Sequence, residues 1–313
     1  MTPHQDHDRI AIIGAGHVGS TTAYALMLRA LVRDIVLIDS DASLAEAEAI
    51  DISDANALAR PARIWAGNYS DAATARLAII TAGAATHGSE SRLSVASRSA
   101  TIVRDCVDSL MAAGFDGILI VASNPVDVMA KVALVQSGLP AKRVIGTGTL
   151  LDSSRLQQEL AARLNVASRA IEALVIGEHG DSEVAAFSTA RVGGLPLDQF
   201  ASDNALNLVE LADSVRAAGY RIIDGKGHTS FGVATAIVRI CEAILRDERI
   251  VLPVSTLLSG EFELSDIYLS LPCILGASGV ESVLLPDLNE DEVVRLRASA
   301  EVIRKADASL DSN

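Results

Sequence analysis

The chain has 313 residues, half of them hydrophobic but only 3% aromatic, and a formal charge of −14. That length holds one large or two medium domains around an aliphatic core, and the composition excludes a disordered chain. The negative surface argues against nucleic acid or an anionic membrane as partner. Three scattered cysteines (Cys106, Cys241 and Cys273) exclude a disulfide framework or zinc cluster and read as buried hydrophobes of a reducing compartment.

The first eight residues are polar and lack the basic-then-apolar pattern of a signal peptide. Mean hydropathy is +0.32, yet no apolar run approaches the 18 or so residues of a membrane span. The strongest, 234–245, is interrupted by Arg239 and Glu242. A cytoplasmic protein is expected.

In chain order, aliphatic runs at Arg9–Ile13, Asp34–Ile38, Arg63–Ala66, 77–81, 117–121 and 143–147 predict buried parallel strands. Helical periodicity at 17–31 and at 43–59, where Pro61 stops it, alternates with them. That alternation implies βαβ units and an α/β, Rossmann-type doubly wound parallel sheet. A helix at Leu150–Leu164 opens a second half of different texture. Long helices are expected there at 198–219 and 228–245, short strands between 251 and 285, and a charged helix at 289–306. The boundary is placed so that residues 1–146 form a dinucleotide-binding domain and 147–313 a mixed α+β substrate domain.

Gly14-Ala-Gly16-His-Val-Gly19 follows the first strand and opens the first helix. Gly14 permits the tight turn, Gly16 lets a pyrophosphate approach the backbone, and Gly19 allows close helix–strand packing. The helix amino end offers unpaired N–H groups and a positive dipole to phosphate. Asp39 ends the second strand, 20 residues after Gly19. A carboxylate there accepts from a ribose 2′-hydroxyl and repels a 2′-phosphate, which favours NAD over NADP.

Four more stretches gather polar groups where apolar runs end: the loop 83–92, Ser123-Asn124-Pro125, Asp152-Ser-Ser-Arg155, and Gly177-Glu178-His179-Gly180-Asp181. Taken singly, Asp152 and Arg155 read as a local helix ion pair, His179 as a core histidine and Arg92 as a solvated loop charge. Together with Thr81-Ala82-Gly83, Ser123-Asn-Pro-Val-Asp127 and Lys226-Gly-x-Thr229, they occur in an order and spacing that resemble the L-lactate/L-malate dehydrogenase family along nearly the whole chain.

The resemblance implies a hydride transfer between NAD and a small 2-hydroxy acid. In it His179 is the general acid/base, Asp152 orients and charges it, Arg155 grips the substrate carboxylate, and Arg92 closes with its loop to polarise the carbonyl. Asn124 is implied as a further donor to the substrate oxygen, Thr229 as a pocket wall. The resemblance places the cofactor against Gly14, Gly16, His17, Val18, Gly19, Asp39, Thr81, Ala82, Gly83, Ser123 and Asn124, with no metal. It also implies a homo-oligomer, dimer or tetramer.

Two positions depart from the family pattern. Six residues before Arg92, where lactate enzymes carry Gln and malate enzymes Arg, stands Thr86. Without a cation there, malate is disfavoured, although His87 is adjacent. The smaller Thr86 leaves room for bulkier 2-oxo acids than pyruvate. Where enzymes activated by fructose 1,6-bisphosphate carry Arg and His, this chain has Gln157 and Glu172, so that activation is not expected. A metal-using, NAD-dependent glycosidase is disfavoured because no cysteine sits beside His179. A non-catalytic NAD(H) sensor would not need His179, Asp152, Arg155 and Arg92 together.

Overall fold

The computed structural model describes residues 9–59, 62–84, 92–200 and 206–311. Its first half runs β1 (Arg9–Ile13), α1 (His17–Arg29), β2 (Asp34–Ile38), α2 (Ala42–Asn56), β3 (Arg63–Ala66), α3 (Tyr69–Ala72) and β4 (Leu77–Ile80). It continues through α4 (Arg92–Ala112), β5 (Ile118–Val121), α5 (Val126–Ser137) and β6 (Val144–Gly146). Strands β1 to β6 are parallel and lie in the order β3-β2-β1-β4-β5-β6. The order reverses between β1 and β4, so the carboxyl ends of these two strands frame the ligand crevice of a doubly wound sheet.

Successive residues of β1 point to opposite faces and seed two cores. Ile10 and Ile12 pack with Leu26 and Met27 of α1 and Ile237 and Ile240 of a later helix, while Ala11 and Ile13 pack with Val103, Leu110 and Met129 on the other side. With both faces covered, the strands are aliphatic throughout rather than alternating.

The second half opens with α6 (Leu150–Leu164) and a set of two-residue strands: β7 (Ile171–Glu172), β8 (Val175–Ile176), β9 (Val184–Ala185), β10 (Arg191–Val192) and β11 (Leu195–Pro196). Next come α7 (Leu197–Phe200), α8 (Leu208–Lys226), α9 (Phe231–Leu245), β12 (Ile250–Ser259), β13 (Ser265–Gly276), β14 (Gly279–Val283) and α10 (Glu290–Asp311).

Two regions differ from the sequence expectation. The helix expected at 198–219 is divided: α7 ends at Phe200, and α8 starts after Asn207, whose side chain caps Glu210 N at 3.1 Å. It then runs on through Gly219 and Gly225 and stops only at Gly227, in the left-handed conformation. The short strands expected between 251 and 285 are instead two long ones and a third, antiparallel, that extend the main sheet beyond β6 through the pairing of Ser255 with Gly146. Opposed prolines, Pro253 and Pro272, and buried Ser and Thr residues interrupt the apolar pattern without interrupting the ladder. Among the described residues, no helix is long and apolar enough to cross a membrane.

The β1–α1 turn is the tightest approach in the crevice. Gly14 has φ +107°, and a Cβ there would lie 2.6 Å from Ala82 N. A Cβ on Gly19 would fall 1.8 Å from the Gly14 carbonyl oxygen. Replacing Gly19 by Ala therefore forces α1 away from β1. The expected cost is about 3 kcal/mol, the upper end for overpacking at a fixed backbone contact. Chemical denaturation of Gly19→Ala should show a lower midpoint at unchanged slope; an unchanged midpoint would contradict this packing.

Candidate active site

The loop after β1 is held from behind. Thr81 Oγ1 donates to the Gly14 carbonyl at 2.8 Å, and Ser123 Oγ donates to the Ala82 carbonyl. Asp39 Oδ2 accepts Ala15 N at 2.6 Å, and its Oδ1 accepts Asp41 N at 2.9 Å. A carboxylate has about four lone-pair sites, so Asp39 keeps capacity for hydroxyl donors. In front, the loop is open: Gly16 is exposed, and a Cβ built on it would meet nothing within 4 Å. Gly16 caps α1 without a side-chain acceptor, and the first turn carries no acidic residue. Its free N–H groups and positive helix end suit a diphosphate, so the residues present fit a dinucleotide.

Val18 and Gly83 flank this loop, and Asn124 is exposed just past β5, joined to Pro125 by a cis peptide. The predicted cofactor residues thus gather at the carboxyl ends of β1, β2, β4 and β5.

The reactive cluster stands on α6 and on the loop after β8. Asp152, buried at 2% exposure, accepts from Arg155 Nη1 at 2.9 Å through Oδ1 and pairs with His179 Nδ1 at 2.6 Å through Oδ2. The i, i+3 spacing places Asp152 and Arg155 on one face of the helix. The His179 loop is fixed from several sides. Val175 N donates to Ser153 Oγ at 2.8 Å, Gly177 pairs with Ser270 of β13, and Glu178 N donates to Ser299 Oγ of α10 at 2.8 Å.

His179 N donates to Asp127 Oδ2 at 2.9 Å, and Asp127 Oδ1 accepts from Ser255 Oγ at 2.6 Å. Asp127 sits on the first turn of α5, immediately after Asn124-Pro125. This link ties the reactive loop to the edge of the dinucleotide crevice. About a quarter of the His179 side chain remains open.

Burial opposes charge on His179, but the Asp152 carboxylate and its hydrogen bond, with Asp127 and Glu183 adding, push its pKa up to about 9. Burial likewise opposes charge on Asp152, yet the neighbouring His179 and Arg155 hold it below the usual carboxylate range. Asp127 is pushed up to about 6 by burial, against hydrogen bonds from Ser255 and His179. Glu183 is pushed up to about 8 by burial and by Asp152, with His179, Arg216 and Arg155 pulling the other way. The cluster can hold a proton on His179 Nε2 at neutral pH, with a fixed cation, Arg155, beside it.

Thr229 is half-buried in the turn between α8 and α9. Thr86 and His87 lie outside the described residues, as does the side chain of Arg92, whose backbone opens α4. Sequence reasoning gave no role to Asp127, Ser255, Glu183 or His228. Asp127 stood within a matched motif, and a charged residue two positions past a strand-end proline was the available signal. For Ser255, more than a hundred residues away, there was none.

The family model for the NAD-binding domain of lactate/malate dehydrogenase matches residues 8–146, and that for the alpha/beta C-terminal domain matches 149–309. The chain is 44% identical over 308 residues to an L-lactate dehydrogenase of Thermus aquaticus, covering 96% of this chain and 99% of that protein. It is 42% identical to an L-lactate dehydrogenase of Limosilactobacillus reuteri, covering 96% and 94%. Among solved structures, a lactate dehydrogenase from a Medee basin deep-sea metagenome library superposes with a TM-score of 0.95 at 39% identity, covering 98% of this chain and all of that one. The ligand-bound minor L-lactate dehydrogenase of Enterococcus mundtii gives 0.93 at 39% identity, covering 98% and 99%. The chain belongs to the lactate/malate dehydrogenase family and is an NAD-dependent oxidoreductase acting on a 2-hydroxy acid.

Proposed function

We propose that this enzyme is an L-lactate dehydrogenase, interconverting pyruvate and L-lactate. The observation that carries the reading is the hydrogen-bonded set of His179, Asp152 and Arg155, tied through Asp127 to the first turn of α5. When bound, NAD(H) supplies or accepts the hydride at its nicotinamide ring. His179 donates the proton to the substrate oxygen during reduction and removes it during oxidation. Asp152 fixes the tautomer, with Nδ1 protonated and Nε2 toward substrate, and stabilises the imidazolium. Arg155 spends one N–H on Asp152 and has donors left for a two-pronged grip on the substrate carboxylate.

Arg92 polarises the carbonyl and Asn124 adds a donor to the same oxygen. By the family resemblance, Thr86 occupies the position that selects the substrate side chain and Thr229 borders the pocket. The shorter Thr86 supports tolerance of bulkier 2-oxo acids, and the lack of an arginine there argues against oxaloacetate. We also read the protein as a cytoplasmic homo-oligomer, dimer or tetramer. In support, Tyr24, Leu28, Ile50, Tyr220 and Ile223 leave apolar surface exposed on α1, α2 and α8. The domain division at residue 146 is part of the same reading.

Four outcomes are expected. Protonated His179 drives reduction, so kcat/KM for pyruvate should hold to near pH 9 and fall beyond it, while oxidation of lactate rises through the same range. Asp152→Asn removes the anionic partner but not the burial. Its alkaline limb should move acidward by more than about one unit and its turnover fall by about 10²-fold or more. An unmoved limb would remove Asp152 from this role.

Following NADH oxidation at 340 nm with pyruvate, oxaloacetate, 2-oxobutyrate, 2-oxoisocaproate and phenylpyruvate should rank a monocarboxylate first. A preference for oxaloacetate would overturn the lactate reading and point to His87 as the second cation. Fructose 1,6-bisphosphate should leave KM for pyruvate unchanged, because Glu172 is an exposed anion and Gln157 is engaged with the Ala173 carbonyl at 3.1 Å. A clear fall in KM would show otherwise.

A further inference from the structure

His17 is the first residue of α1, inside the glycine loop, and His228 lies in the α8–α9 turn, between Gly227 and Thr229. The two rings stack with centroids 3.8 Å apart and planes 14° from parallel. This contact connects the phosphate-facing end of α1 with the second half of the chain. It stands next to Gly16, in front of which the space is open. His17 is exposed and His228 half-buried, so neither ring is core packing.

We propose that the stacked His17–His228 pair is a positioning element of the dinucleotide site, closing beside the bound diphosphate and taking up a proton as that anion arrives. The proposal rests on the diphosphate lying at the α1 amino end. Two neutral imidazoles stack favourably, one imidazolium on a neutral ring is tolerated, and two imidazoliums repel. Partial burial, His17 and the Lys226 ammonium hold His228 below its ordinary pKa. Lys226 itself lies 4.4 Å over the Phe231 ring. On the β2 side Asp39 is turned to Ala15 N, and the first turn of α1 has no carboxylate. No carboxylate on α1 therefore offsets the Lys226 charge at His228, whereas a diphosphate brings anionic charge that favours a proton there.

The consequence is a cofactor affinity that rises as pH falls from 8 to 6. A shift of about one pKa unit on binding corresponds to about a tenfold change in Kd over the titration. His179, pushed up to about 9, stays protonated across this window. Glu183 and Asp127, pushed up to about 8 and about 6, titrate within it, but changes at the stack leave them in place. Comparing variants with the parent isolates the pair.

The experiment is a fluorescence titration of the full chain with NADH at pH 6, 7 and 8 and fixed ionic strength. The parent Kd should tighten about threefold from pH 8 to 6, the share of a tenfold change that falls in this window when the free histidine titrates below 6.5. His17→Gln and His228→Asn should abolish this dependence. His228→Arg, carrying a permanent cation, should bind as tightly at pH 8 as at 6. Parallel pH slopes in the parent and all three variants would overturn the proposal. Gly16→Val tests the underlying placement, because it fills the open space before the loop. If it binds NADH normally, the site itself is misplaced and the proposal falls with it. If it abolishes binding while the slopes stay parallel, only the role of the histidine pair is lost.

Discussion

A carboxylate with 2% exposure is the constraint around which this active site is organised. Asp152 is costly to hold ionised unless cations and donors surround it, and it has one of each kind on its two oxygens. That requirement makes Arg155 and His179 mutually dependent. Each stabilises the anion that stabilises the other, so the histidine keeps its proton and the guanidinium keeps its aim. Removing Asp152 would strand two partly buried cations side by side.

Such a cluster works only if its loop cannot drift. The 177–183 turn is secured by hydroxyls and backbone groups from α6, β13 and α10, and by Asp127 from α5. Asp127 carries particular weight because its helix starts where β5 delivers Asn124 to the crevice. The group that handles the proton and the strand ends that frame the dinucleotide are therefore linked by one carboxylate, itself fixed by Ser255 of β12. The antiparallel extension of the sheet thus acts as the rear support of the site.

Much of this was legible in the sequence where the physics is local. The glycine spacing, the acidic end of β2 and the aliphatic strands each state their geometry within a few residues, and the structure has the corresponding turn, helix and parallel ladder. Asp152 and Arg155 were readable as neighbours because helical spacing fixes them. What was not legible depends on distant pairing. The β12–β14 extension was hidden because strands buried on both faces lose their alternation, and the opposed prolines mimic breaks. Glu183 carries no local signal, since only burial beside Asp152 and His179 makes it unusual. The His17–His228 stack joins residues more than two hundred positions apart, and no local rule anticipates it. The extent of α8 was missed because Gly219 and Gly225 look like helix ends, yet only Gly227 adopts the left-handed turn that ends it.

The protonation states also answer how a chain of charge −14 receives an anionic substrate. Net charge acts over long distances that salt screens, whereas the substrate meets the few groups within the pocket. Near neutrality Glu183, with its pKa pushed up to about 8, is mostly protonated, and Asp152 is compensated by His179 and Arg155. The negative groups closest to Arg155 are thus neutral or already paired, and the guanidinium faces the carboxylate without a competing anion. Above pH 8 Glu183 ionises and strengthens its hold on the His179 proton, so the imidazolium persists to near pH 9. Burial thus works against the charge on His179 and for the proton on Glu183, and the Asp152 carboxylate decides the balance in favour of the imidazolium.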